Sequence, residues 1–327
     1  MNDLASEILK NITEESVTSS KIVFKNITSS DINKTNFHII PNNKSNGKIA
    51  FIDGGNAEIL ASSAFSLHII RIIALVYEQN KRIQIKKKEF KVLTTIDKDE
   101  YVTKSFPKEA FKETRFKIND PNLKTGNDNV SISKIGSLIR RLAELEMAKN
   151  LTNDAELIIL DGSLETKYQE ERVYLDKLQE VIKDTALIAI SKTCNIITNK
   201  GNSITALLKN IKSDKWYYDP NIKKQDKDYN AQLYFIKLHE KSDYVFRMDL
   251  FRGEINQILP LLTINSKDPV FLGYPYGLIE ADKLARISNK EADLIKTQLM
   301  VNFGKDWNKI KPSLNSVNAH QILDNIG

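Results

Sequence analysis

Residues 135–191 read IGSLIRRLAELEMAKNLTNDAELIILDGSLETKYQEERVYLDKLQEVIKDTALIAIS. Ile135, Leu138, Ile139, Leu142 and Leu145 recur at the i, i+3, i+4, i+7 spacing of one helical face, which predicts an amphipathic helix over 135–149. Ala155–Asp161 (AELIILD) then forms a short apolar run ending on an acid, the pattern of a buried strand. A second helix is predicted around Tyr168–Lys183, followed by another buried strand, Ala186–Ser191 (ALIAIS), then Lys192 and a helix near Ile204–Ile211. A helix between two strands returns the chain to the starting end of the sheet, so these strands should pair in parallel.

Upstream the texture differs. KIAFID (48–53) is a compact apolar run ending on an acid, and Gly54-Gly55 read as the tight turn of a hairpin. Two extended segments follow, Ala64–Tyr77 and Arg82–Ile96. The apolar alternation of KRIQIKKKEFK (81–91) changes phase between Ile85 and Phe90, as at a bulge or an edge strand. Residues 97–130, charged and carrying Pro107 and Pro121, read as a long surface loop or insertion. Downstream, Ala231–Leu238 and Tyr244–Leu250 read as strands, and about Leu278 to Phe303 as a long helical segment. Residues 1–46, rich in Asn, Ser, Thr and Lys, read as an N-terminal extension before a domain of residues 47–327. Hairpin strands followed by helix-strand units predict an α/β fold, a mixed sheet with flanking helices of the RNase H-like kind. Actin-like and Rossmann layouts are the alternatives.

Composition bounds the rest. With 327 residues, 41% hydrophobic and 28% charged, the chain can bury the core of one large domain or two small ones. A formal charge of +6 suits a polyanionic partner without requiring one. The single cysteine, Cys194, excludes a disulfide framework, a cysteine zinc ribbon and an iron–sulfur cluster, and fits a reducing, cytoplasmic setting. The start, MNDLASEIL, does not read as a secretory signal, and Leu67–Tyr77, interrupted by Arg71, falls short of the roughly 20 residues of a membrane span. His38, His68, His239 and His320 show no zinc-hydrolase spacing, and His320 is expected to be structural.

Asp53 and Asp161 each precede a glycine at an expected strand end, where open α/β sheets place their sites. Carboxylates there suit Mg²⁺ or Mn²⁺, although Asp-Gly also simply makes turns. A third acid comes from the 135–149 helix. With Ile135 at 0° and about 100° per residue, Glu146 falls near 20°, inside the apolar stripe, and Glu144 near 180°. Periodicity therefore favours Glu146, and Glu144 reads as a surface partner of Arg140 or Arg141. Lys192 can orient a phosphate or be a solvated strand-end lysine. Tyr274, Tyr276 and Asp282 flank or follow Pro275, and aromatics there can stack a base or serve as core. Lys86, Lys87 and Lys88 are candidates for nucleic-acid binding or for a solvated edge.

FIDGGNAEIL, RRLAELEMA, LIILDGSLE, IAISKT and GYPYGLIEADKLARI, in that order from about Lys48 to Ile287, resemble the motif series of the NurA nuclease family of archaeal and bacterial DNA-end-processing enzymes. The resemblance implies an RNase H-like fold, a homodimer and manganese-dependent cleavage of DNA, mainly single-stranded or at ends. It also implies a hexameric HerA-type ATPase as partner in end resection and double-strand break repair. By motif, Asp53 and Asp161 would be metal ligands and the catalytic helix acid would be Glu144, against the periodicity. Tyr274 matches the family's functional tyrosine. Asp282 stands where some members carry a histidine ligand, which leaves an all-oxygen site suited to Mg²⁺ as well as Mn²⁺. Lys192 joins these residues as a candidate for charge neutralisation. Two other classes stay in view: an actin-like ATP phosphotransferase, with DGG and DGS as phosphate loops, and a non-catalytic adaptor of a hexameric ATPase. Leu4, Ile8, Leu9 and Ile12 lie at helical spacing and are expected to contact that ATPase.

Overall fold

The computed structural model describes residues 4–7, 20–25, 27–42, 46–123, 131–209, 214–222 and 228–314. β1 (Lys21–Phe24) and β2 (Ile27–Asp31) form a hairpin, and β3 (Phe37–Ile39) follows. β4 (Lys48–Ala61), β5 (Phe65–Glu78), β6 (Lys81–Asp97), β7 (Glu100–Phe106) and β8 (Thr114–Lys117) make an antiparallel meander. Alternation comes next: α1 (Ile135–Lys149), β9 (Leu157–Asp161), α2 (Gln169–Val181), β10 (Ala186–Ser191), β11 (Ile197–Thr198) and α3 (Ile204–Lys209). β12 (Trp216–Tyr218), β13 (Gln232–Lys237), β14 (Phe246–Arg252), α4 (Ile255–Asn265), α5 (Tyr276–Ala285) and α6 (Asn289–Phe303) follow.

Eleven strands form one sheet in the order β3-β12-β13-β14-β10-β9-β4-β5-β6-β7-β8. β9 pairs in parallel with both β4 and β10, and the other pairings in this sheet are antiparallel, so the expected mixed sheet with flanking helices is what forms. Side chains alternate faces along a strand, and here both faces are covered. Ala50, Ile52, Ile158, Leu160, Leu187 and Ala189 face the layer that includes α1 and α2, whereas Ile49, Phe51, Leu157, Ile159, Ile188 and Ile190 face α4 and α5. That double burial is why these strands are apolar without interruption.

Four expectations need correcting. Gly54-Gly55 is not a turn: β4 runs through both to Ala61. The glycines are required by close approach, since a Cβ on Gly54 would lie 2.6 Å from Glu144 Oε1 and one on Gly55 would strike the Ala285 carbonyl oxygen. Residues 97–130 are not simply a loop, because β7 and β8 extend the sheet and bury Tyr101, Val102 and Phe116. Their strands are short and outwardly charged, which hid the alternation. Residues 1–46 are not wholly an extension: β1 and β2 form a small sheet with β11, and β3 is an edge strand of the large sheet, with Phe37 packed 4.9 Å from Trp216. Finally, the helix expected over 278–303 is two, α5 and α6, separated where Ser288 Oγ caps α6 by accepting from Glu291 N at 3.2 Å. Ile8, Leu9, Ile12 and His320 lie outside the described residues. Among the described residues, no helix is long and apolar enough to cross a membrane.

Candidate active site

Register brings the acids together. Ile52 pairs with Leu160 and Ile190 with Asp161, so Asp53, Asp161 and Lys192 arrive side by side at the carboxyl ends of three neighbouring parallel strands. Asp53 lies inside β4, one residue past its last pair with β9, at the end of that parallel pairing. α5, which covers the face of Phe51 and Ile159, supplies Asp282, and Pro275 at its N-cap starts the helix.

Asp53, Asp161 and Asp282 each offer an oxygen, and these all lie within 4.8 Å of one another. The Lys192 ammonium sits among them, 2.7 Å from Asp161 Oδ2, 3.5 Å from Asp282 Oδ1 and 4.0 Å from Asp53 Oδ2. The Tyr274 hydroxyl donates to Asp161 Oδ1 at 3.3 Å. Asp53, 4% exposed, accepts from Gly54 N at 2.7 Å through Oδ1, while its buried Oδ2 has no hydrogen-bond partner. Burial, then the charges of Asp161 and Glu144, push the Asp53 carboxyl up to about 8 against the pull of Lys192. Burial works against the Lys192 ammonium, but Asp161, Asp53 and Asp282 outweigh it and hold its pKa above the usual lysine value. Burial and then Asp161 push the Tyr274 hydroxyl up, so it stays a donor.

Glu144 and Glu146 part company. Glu144, 3% exposed, ion-pairs with Arg140 and lies 3.4 Å from Arg141 NH1. Arg140 NH1 also donates to the Gly54 carbonyl at 2.9 Å and lies 4.0 Å from Asp53 Oδ1. Burial pushes the Glu144 carboxyl up, against both guanidiniums. Glu146 instead pairs with Lys88 at 2.7 Å. The periodicity expectation fails because α1 is packed against both the sheet and α2, so its buried arc is far wider than its apolar stripe.

All three lysines of the basic cluster have acidic partners: Lys86 with Asp154 at 2.5 Å, Lys87 with Glu89 at 2.9 Å, and Lys88 with Glu146. Lys86 and Lys88 share the face of Phe90 and Val92, so the change of phase lies in the side chains and not in the backbone there. The register shift between β5 and β6 falls earlier, opposite Val76 and Tyr77.

A cleft of about 890 Å³ runs from the carboxylates past Arg140, Arg141 and Glu144 to a far wall that includes Phe24, Lys25 and Arg247. That wall holds residues the sequence reading missed. Arg247 makes two bonds to Asp249, at 2.8 and 3.0 Å, and its guanidinium lies 5.0 Å from the Phe24 ring centre. Asp249 also accepts from Leu164 N at 2.9 Å, which ties down the loop that follows Asp161. Arg and Asp at alternate positions of an apolar strand, FRMDLFR, were the available signal.

A profile described as the NurA domain matches residues 47–287. The crystal structure of the NurA nuclease from Sulfolobus solfataricus matches with a TM-score of 0.55 and 14% identity, over 93% of this chain and 93% of that one. The catalytic domain of human Endonuclease V matches at 0.39 and 11%, over 78% and 84% of the two chains. Endonuclease V from Ciona intestinalis, in complex with an inosine-containing 24mer DNA, matches at 0.40 and 12%, over 76% and 87%. No curated protein is similar enough to count as a relative. The expected RNase H-like fold is thereby shown.

Proposed function

The chain belongs to the NurA family, and on that basis we propose that it is a metal-dependent DNA nuclease centred on Asp53, Asp161 and Asp282. One observation carries this: three carboxylates converge within 4.8 Å, with the Asp53 Oδ2 atom buried and unpartnered. A buried carboxylate oxygen without a donor is costly unless a cation completes it, and carboxylate oxygens suit Mn²⁺ or Mg²⁺. Asp53, Asp161 and Asp282 would hold the ion, which when bound would activate water and neutralise charge on the scissile phosphate.

The chain's own groups do the rest. The Tyr274 hydroxyl fixes one oxygen of Asp161 and so aims the other. Lys192, kept charged by the three aspartates, stands where a non-bridging phosphate oxygen would come. Arg140, held by Glu144 and the Gly54 carbonyl, supplies a second fixed positive charge beside Asp53. Glu144 thus acts in this proposal by positioning Arg140 and Arg141. The cleft lined by Asp53, Asp161, Lys25 and Arg247 is the proposed path of a DNA strand, favoured over Lys86–Lys88 because those lysines do not line it.

We further propose cleavage of single strands or ends, a homodimer, a cytoplasmic setting, and work in end resection with a hexameric HerA-type ATPase, on the support of the family alone. The actin-like alternative loses one of its two phosphate loops, since Gly54-Gly55 lie inside a strand. The direct test is degradation of labelled single-stranded DNA with Mn²⁺. Wild-type activity should disappear in a D53A/D161A protein, and an equal rate in that variant refutes the proposal.

A further inference from the structure

Along the sheet edge from Asp161 the chain exposes aromatic rings that the carboxylate centre does not use. Ile190 pairs with Asp161 and Ser191 with Arg247, so Phe246, which begins β14, stands beside the carboxyl end of β10. Tyr244, two residues earlier, is 54% exposed, and Phe271, from the segment between α4 and α5, is 36% exposed. Their ring centres lie 4.9 Å apart at an angle of 32°. Phe246 lies behind both, 6.3 Å from each. Tyr274 meets Phe246 edge-on at 5.0 Å and Phe271 at 6.2 Å. Tyr274 is the residue whose hydroxyl reaches Asp161, so the rings form one contiguous path from solvent to the carboxylates.

The exposed pair is held in place. Ser242 Oγ accepts from Tyr244 N at 3.1 Å. Gly273, at φ +89°, presses on the same serine, and a Cβ there would lie 2.5 Å from Ser242 Oγ. On the other loop, Asp268 Oδ1 accepts from Val270 N at 2.9 Å and the Asp268 carbonyl accepts from Phe271 N at 3.2 Å. A preorganised flat apolar face loses little entropy when it binds another ring. A single exposed aromatic is ordinary; a fixed pair continuous with a phosphate-cleaving centre matches what unpaired bases need. Tyr274, 3% exposed, has no face to offer.

We propose that Tyr244 and Phe271 form a stacking platform for unpaired bases next to the scissile phosphate, which selects single-stranded over duplex DNA because paired bases keep their faces inside the helix. This rests on the proposed nuclease activity and names how that site recognises its substrate.

The test is fluorescence anisotropy of a labelled oligothymidine, of the same strand with abasic positions, and of a duplex, all in EDTA so that nothing is cut. Tyr244→Ala and Phe271→Ala should each weaken single-strand binding roughly fivefold or more, and Tyr244→Phe should restore it. The abasic strand should bind wild type about as weakly as the intact strand binds the double variant, with no further loss when the two are combined. Duplex affinity should not move. Unchanged single-strand affinity in the alanine variants, or independent losses from variant and abasic strand, overturns the platform. So does a change of oligomeric state with DNA affinity intact, which would make the patch a contact between copies. Wild type that binds the strand yet cuts no DNA with Mn²⁺ overturns the nuclease activity instead, and wild type that binds no DNA overturns both.

Discussion

Replacing Asp53 by Asn should abolish cleavage and, in the absence of divalent metal, make the protein more stable. The carboxyl has an ordinary value of 3.8 and is raised to about 8 by burial and by Asp161 and Glu144. The fold therefore prefers the protonated form. The stability that this carboxyl contributes is complete below pH 3.8 and is lost as pH rises towards 8. At pH 7 some three pH units of that window have been crossed, at about 1.4 kcal/mol each, or about 4 kcal/mol as an upper figure. Asparagine removes the charge but buries an amide, which costs about 1–3 kcal/mol where its donors lack partners, so a net gain of about 2 kcal/mol is expected. Unfolding entropy of about 2.1 cal/mol/K per residue over 327 residues converts this to a rise in Tm of about 3 °C. Thermal melts of both proteins in EDTA at pH 7 and pH 4 measure it. The gain should be present at pH 7 and gone near pH 4, and Mn²⁺ should raise the Tm of wild type much more than that of the variant. A fall of several degrees at pH 7 refutes the reasoning and makes Asp53 a structural residue that serves the Gly54 amide.

Glu144→Gln should reduce cleavage at least tenfold by freeing Arg140, whereas Glu146→Gln should leave it intact and cost less than about 1 kcal/mol, since it breaks only a half-exposed pair with Lys88. The reverse order in a steady-state assay would restore the periodicity assignment. Lys192→Met should lower cleavage while Mn²⁺ binding, followed by calorimetry, becomes no weaker, because the ammonium sits among the carboxylates that would bind the ion; weaker Mn²⁺ binding contradicts this. Reversing Lys86, Lys87 and Lys88 to Glu should lower Tm through lost ion pairs and leave the salt dependence of DNA binding nearly unchanged; a shallower salt slope would return them to the DNA path. Deleting residues 1–19, which stops short of β1, should abolish co-elution with a HerA-type ATPase, and undiminished co-elution places that contact elsewhere.

Legibility followed the range of the interaction. β9 and β10 were readable, with Asp161 and Lys192 at their ends, because a doubly buried strand writes its environment into four or five consecutive apolar residues. Asp53 was expected before a turn and lies inside a strand. Asp-Gly-Gly is compatible both with a turn and with a strand crowded from both faces, and only Glu144 and the Ala285 carbonyl, far along the chain, decide between them. The same limit separates Glu144 from Glu146. Helical periodicity reports the single apolar stripe of a helix with one buried side, and α1 is buried by the sheet and by α2 together. The lysine cluster shows the same limit. Three adjacent positive charges look unsatisfied until the chain returns with Glu146 and Asp154, 58 residues beyond Lys88 and 68 beyond Lys86. Of the aromatic path to Asp161 only Tyr274 was read, since Tyr244 and Phe271 come from two loops whose approach depends on Gly273 lying against Ser242. Candidate groups that share a strand end were therefore visible, and those assembled across faces and loops required the fold, which is where selectivity for a DNA strand would have to be built.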